Sequence, residues 1–134
     1  MATLLLKKSY RHKDLKEIKF NDLWNLRGIF TTMRVIGKPT KILFFKDHIN
    51  NLINSLKIYK INKKGIRQNI LKLIKLNINK KKKYDHLLRV AANNKMISIS
   101  LRKRLKPKLN FMLKLVNYKR IDPEYKNLKY KKIL

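Results

Sequence analysis

The sequence predicts an α+β domain, a largely antiparallel sheet with two helices packed on one face. Three observations carry that expectation. Residues 29–36 alternate, with Ile29, Thr31, Met33 and Val35 set against Phe30, Thr32, Arg34 and Ile36. Two later stretches repeat apolar residues at helical spacing, and two more alternate again beyond residue 85. Short turns between such segments favour helices laid on an antiparallel sheet.

Leu4 to Leu6 form a short apolar strand candidate, followed by a basic stretch through Lys19 without a clear period. The alternating run turns at Gly37-Lys38-Pro39-Thr40 into a second apolar run, Ile42 to Phe45, which makes a hairpin. Asp47 then stands where a helix N-cap belongs, and Ile49, Leu52, Ile53 and Leu56 follow at the spacing of one buried helix face. After a polar connection with Gly65 as its break, a second amphipathic helix runs from about Ile66 to Ile78, with Ile66, Ile70, Leu73, Ile74 and Asn77 along one side. Lys80 to Lys83 end it as a charged connection. His86 to Ala92, a turn at Asn93-Asn94-Lys95, Met96 to Leu101, and then Leu109 to Tyr118 read as strands.

Composition bounds the chemistry. At 134 residues the chain is long enough to bury a core, and 44% hydrophobic residues separate it from a disordered polymer. It has no cysteine, which excludes disulfide frameworks, thiolate metal sites and thiol nucleophiles. His12 and His86 have no ligand partners at metal-binding spacing. No apolar run approaches the roughly 18 to 20 residues of a membrane-spanning helix, and Met1 to Leu6 is too short for a signal-peptide core. No membrane partner and a cytoplasmic location are therefore expected.

The charge points elsewhere. Lys and Arg total 36 against 7 acidic residues, a net charge of +29 that predicts sequence-independent binding to polyanions at low ionic strength. That binding should vanish near physiological salt. Only 8 of the 36 are Arg, the side chain best suited to bidentate phosphate recognition, and the lysines are spread evenly. Abundant Lys, Asn and Ile beside scarce Gly and Pro are also what an A+T-rich gene would encode. A small basic RNA- or ribosome-associated protein without catalysis is the alternative reading, and a degenerate gene product is a third.

Two blocks of residues carry a family resemblance. Gly28-Ile29-Phe30-Thr31-Thr32-Met33-Arg34-Val35, Gly37, Asp47-His48-Ile49-Asn50-Asn51-Leu52 and Ser55 follow the order "G-x-F-x-T-x-R-V", a Gly-containing turn, and "H-[IL]-x-R-L-x-x-S". Near the other end, Arg120-Ile121-Asp122-Pro123-Glu124-Tyr125-Lys126-Asn127-Leu128-Lys129-Tyr130 is similar to "R-x-D-P-x-x-K-x-x-N-Y". Together they resemble the class IV pyridoxal-phosphate aminotransferases, which include branched-chain and D-amino-acid aminotransferases and aminodeoxychorismate lyase.

The resemblance implies that Lys126 is the catalytic lysine that binds pyridoxal 5'-phosphate, and that Tyr130 hydrogen-bonds the cofactor's phenolic oxygen. Asn51 falls where the family has an arginine on the cofactor phosphate, and His48 on the neighbouring family histidine. Thr31 and Thr32 match the pattern as ordinary strand residues. Phe20 to Arg27 replaces the family's Gly-rich approach with residues that include Leu23 and Trp24. The implied layout is a small domain over residues 1–120 and a catalytic-lysine segment over 121–134 that begins a second domain absent from this chain. An amino-acid or amino-chorismate substrate follows, as does a homodimer if the enzyme is complete. This chain alone is then expected to be inactive, with Lys126 at the domain's edge, near the helix start, and Leu128, Ile133 and Leu134 exposed.

Overall fold

The computed structural model describes residues 4–61, 64–107, 109–110, 112–115, 117, 119 and 122–129. Six strands form one sheet: β1 (Leu4–Arg11), β2 (Glu17–Ile18), β3 (Ile29–Gly37), β4 (Lys41–Ile42), β5 (Tyr84–Ala92) and β6 (Met96–Lys103). Their order is β2-β1-β6-β5-β3-β4, and every pairing is antiparallel. Two helices, α1 (Phe45–Ile58) and α2 (Ile66–Asn77), separate β4 from β5. The expected α+β class is what the chain adopts.

The period of two along the strands decides which side chains meet the helices. Ile29, Met33 and Val35 of β3 lie in one buried cluster with Leu88, Val90 and Ala92 of β5 and Ile97, Ile99 and Leu101 of β6. Ile49, Leu52, Ile53 and Leu56 of α1 join it, as do Ile66, Ile70, Leu73 and Ile74 of α2. Asn77 hangs on the margin of that face, where its amide nitrogen donates to the Tyr10 hydroxyl at 3.0 Å. The opposite face carries a smaller cluster of Leu23, Phe30, Ala91 and Leu128.

Several local expectations are corrected. The second hairpin strand is only Lys41–Ile42 rather than Ile42 to Phe45, because Phe44 turns left-handed at φ 52 and α1 starts at Phe45. Asp47 is therefore inside the first turn and makes no capping bond, although its charge still sits well at a helix N-terminus. The first strand extends from Leu4 to Arg11 and pairs along β6. Its polar Ser9 is buried because Ser9 Oγ and Ser98 Oγ lie 2.7 Å apart, and Ser98 Oγ also donates to Asn21 O at 2.6 Å.

The expected strand from Leu109 to Tyr118 is not formed among the described residues, where Leu109, Met112, Leu113 and Leu115 are fully exposed. Where the described residues bury no side chain, an apolar run gains nothing by extending. Leu128 was expected exposed and is instead 0% exposed. Ile133 and Leu134 lie outside the described residues.

Candidate functional site

At the start of β3 the chain returns to the sheet from its far end. The Phe30 amide donates to Lys126 O at 2.9 Å and the Leu128 amide to Gly28 O at 3.1 Å, while Leu128 O accepts from the Asn25 amide at 2.9 Å. These bonds flank Lys126 and pin its backbone against the strand. Leu128 fills the space beside Leu23 and Phe30, so the segment is held by burial as well as by hydrogen bonds.

The other side of this loop is tied to α1. Asp122 is left-handed at φ 45, and its carboxylate accepts the Tyr59 hydroxyl at 2.8 Å. The Tyr125 ring meets the Tyr59 ring edge-on at 5.8 Å. Arg27 lies over Tyr59 at 5.0 Å and donates to its carbonyl at 3.0 Å. Burial pushes the Tyr59 phenol up to about 12, reinforced by the hydrogen bond to and charge of Asp122 and opposed by Arg27.

Between the loop and the helix lies a cleft of about 430 Å³, lined by Thr31, His48, Asn51, Ser55, Glu124 and Lys126. His48, Asn51 and Ser55 fall on one stripe of α1, beside the stripe that buries Ile49, Leu52 and Leu56. Thr31 reaches the same cleft from β3, and its Oγ1 lies 3.0 Å from His48 Nδ1. Leu52, Ile29 and Ile58 give the cleft an apolar wall. Burial pushes the His48 imidazole below the ordinary histidine value, the charge of Lys126 pushes it further, and Asp47 opposes both.

Of the residues singled out in the sequence, Lys126, Asn51 and His48 are thus brought together beside the first turns of α1. Lys126 is exposed, at the margin of the fold. Tyr130 lies outside the described residues. Thr32 is half-buried on the face away from the helices, one step along the strand from Thr31. His12 Nε2 donates to Asn93 O at 2.6 Å, joining two turns remote in sequence, and His86 Nδ1 accepts the Asp85 amide at 2.9 Å within β5. No metal-binding cluster of His, Cys, Asp or Glu occurs among the described residues.

Three features escaped the sequence reading. Thr31 was expected to be an ordinary strand residue and instead meets His48. The inward phase of the alternation was a signal for it. Tyr59 and Asp122 give no local sign of their contact, which joins parts of the chain far apart in sequence. Leu23 and Asn25 still adopt the left-handed backbone that the glycines of the family approach would allow, at φ 64 and 69. Each such turn costs a non-glycine residue about 1–2 kcal/mol. The Leu23 amide donates to Asn21 Oδ1 at 2.8 Å and the Trp24 amide to Asp22 Oδ1 at 3.1 Å, and full burial of Leu23 offsets the cost further.

Among the described residues no helix is long and apolar enough to cross a membrane. Comparison with known proteins gives one family match: a model described as "Amino-transferase class IV" covers residues 28–133. No significant match was found among curated proteins or solved structures.

Proposed function

The chain belongs to the class IV aminotransferase family, and on that premise we propose that it is the small-domain portion of a pyridoxal-phosphate-dependent transaminase or related lyase acting on amino acids. Substrates of the branched-chain aminotransferase or aminodeoxychorismate lyase kind, an amino acid or an amino-chorismate, fit that class. The observation that supports this reading is the convergence of Lys126, His48 and Asn51 in one cleft, from two segments remote in sequence.

The cleft suits the cofactor in part. Lys126 supplies the amine that would hold it, Asn51 and the hydroxyls of Thr31 and Ser55 supply neutral donors, and Leu52 with Ile29 offers an apolar wall. Among the described lining residues there is no guanidinium. Asn51 would therefore grip a phosphate with neutral hydrogen bonds, weaker than a charge-assisted fork. The remaining phosphate and ring contacts are assigned to a second domain, with a homodimer as the complete form.

When bound, pyridoxal phosphate supplies the electron sink for cleavage of a bond at the substrate's α-carbon. The protein's own part is simpler. Lys126 holds the cofactor, and its amine, once released and neutral, carries a proton to or from that carbon. Tyr130 is proposed to hydrogen-bond the cofactor's phenolic oxygen. His48, neutral near pH 7, is oriented by Thr31 Oγ1 at 3.0 Å from its Nδ1 and feels the charges of Lys126 and Asp47.

Borohydride reduction of the chain with pyridoxal phosphate, followed by peptide mass spectrometry, tests the assignment. Pyridoxyl is expected on Lys126 above the background on the other lysines. Equal labelling across the lysines would reject it.

A further inference from the structure

A second cleft, of about 690 Å³, opens where the β1–β2 turn meets the β5–β6 turn and the start of α2. It is lined by Arg11, Lys13, Lys64, Asn69, Asn94 and Lys95, among others. We propose that this cleft binds phosphate groups and that its ligand is a nucleic-acid strand laid across it.

Four cations arrive there from three separate segments of the chain. No carboxylate lines the cleft among the described residues. Asp14 lies next to it and pairs with Arg11 at 2.7 Å, taking up part of one charge while holding that guanidinium in place. Lys13, Lys64 and Lys95 are exposed, and Asn69 and Asn94 add neutral donors. A concave surface lined by one sign of charge concentrates potential in a way that the same lysines spread over convex faces do not.

Two of the three walls are braced against each other. His12 joins the two turns, its Nε2 donating to Asn93 O at 2.6 Å and its amide to Lys95 O at 3.1 Å. Asn93 Oδ1 accepts the amides of Lys95 at 2.8 Å and Met96 at 2.9 Å. Lys13 and Lys95 are thus carried on turns braced against each other, which lowers the ordering cost of binding. Four cations carried on three separate segments around one open cleft favour a strand with several phosphates over a single one.

The site is separate from the Lys126 cleft. β1 lies three strand steps from β3, roughly 14 Å at the usual spacing. The inference therefore stands or falls apart from the cofactor reading.

The test compares two variants with the same loss of charge. One carries Lys13→Gln, Lys64→Gln and Lys95→Gln; the control carries Lys57→Gln, Lys72→Gln and Lys83→Gln on exposed positions elsewhere. Binding of a labelled single-stranded RNA is followed by anisotropy at low ionic strength and through a salt titration, with circular dichroism confirming the fold. The cleft variant is expected to bind about tenfold more weakly and to lose about 2 from the slope of log affinity against log salt, with little change in the control. Equal losses in the two variants would overturn the proposal. So would ATP binding as tightly as RNA, which would hand the cleft to a free nucleotide. Ultraviolet crosslinking of the unaltered chain probes the same surface without a variant: crosslinks gathered at 11–13, 64–69 and 94–96 support it, and an even spread along the chain overturns it.

Discussion

Gly28 and Leu128 touch so closely that no side chain fits between them. A Cβ on Gly28 would lie 2.7 Å from Leu128 Cδ1 and 2.5 Å from Ala92 O. The glycine is thus needed for close approach rather than for an unusual backbone angle, and the residue that approaches sits two places beyond Lys126.

Gly28→Ala is accordingly expected to cost about 1–3 kcal/mol, because neither the Ala92 carbonyl nor the seated Leu128 can yield freely. Leu128→Ala should cost about 2–5 kcal/mol through the cavity left beside Leu23 and Phe30. Urea titrations measure both. A Leu128→Ala variant as stable as the parent would show that the segment carrying Lys126 is not seated on the sheet.

The Tyr59–Asp122 bond predicts a pH dependence. Folding raises the Tyr59 phenol from 10 to about 12, so the protonated form is favoured in the folded state. The associated stability is fully present below pH 10 and is lost as pH rises toward 12. The reading is the difference between the parent and Tyr59→Phe. The parent should lose its advantage over the variant across that window. A constant difference would mean that the hydroxyl contributes nothing pH-dependent.

His48 titrates in the opposite sense. Its folded value is depressed, so the neutral ring is favoured, and the stability it contributes is present above pH 6.5 and lost as pH falls through the folded value. Nuclear magnetic resonance titration should show the His48 value rising in Lys126→Ala and falling in Asp47→Asn. No movement in the first variant would mean that the lysine charge does not reach the cleft.

Turnover is the fourth expectation. With pyridoxal phosphate and a panel of branched-chain, D- and aromatic amino donors, this chain by itself should show no measurable transamination or lyase activity, since the cleft offers neutral donors where a phosphate needs charge. Turnover that disappears in Lys126→Ala would show that the cleft suffices alone.

What the sequence determined by itself was everything written in local periodicity. The buried stripes of α1 and α2 and the inward residues of β3, β5 and β6 follow from spacings of 3.6 and 2 within single segments, and the order of the two motifs was enough to indicate the family. Local signals failed where burial depends on a distant partner. Asp47 looks like a cap until Phe44 turns the chain three residues earlier, and Leu109 to Tyr118 looks like a strand although no strand forms there among the described residues. The burial of Ser9, in a stretch without a clear period, depends on Ser98 far along the chain. The site divides in the same way: Lys126, Asn51 and His48 could be read as motif positions, but their shared cleft, the Tyr59–Asp122 tie and the cationic cleft around Lys13, Lys64 and Lys95 arise only when separate segments are folded together. Contacts between remote residues leave no period in a chain, because the entropy of closing so long a loop is met by the whole core and not by the residues that touch.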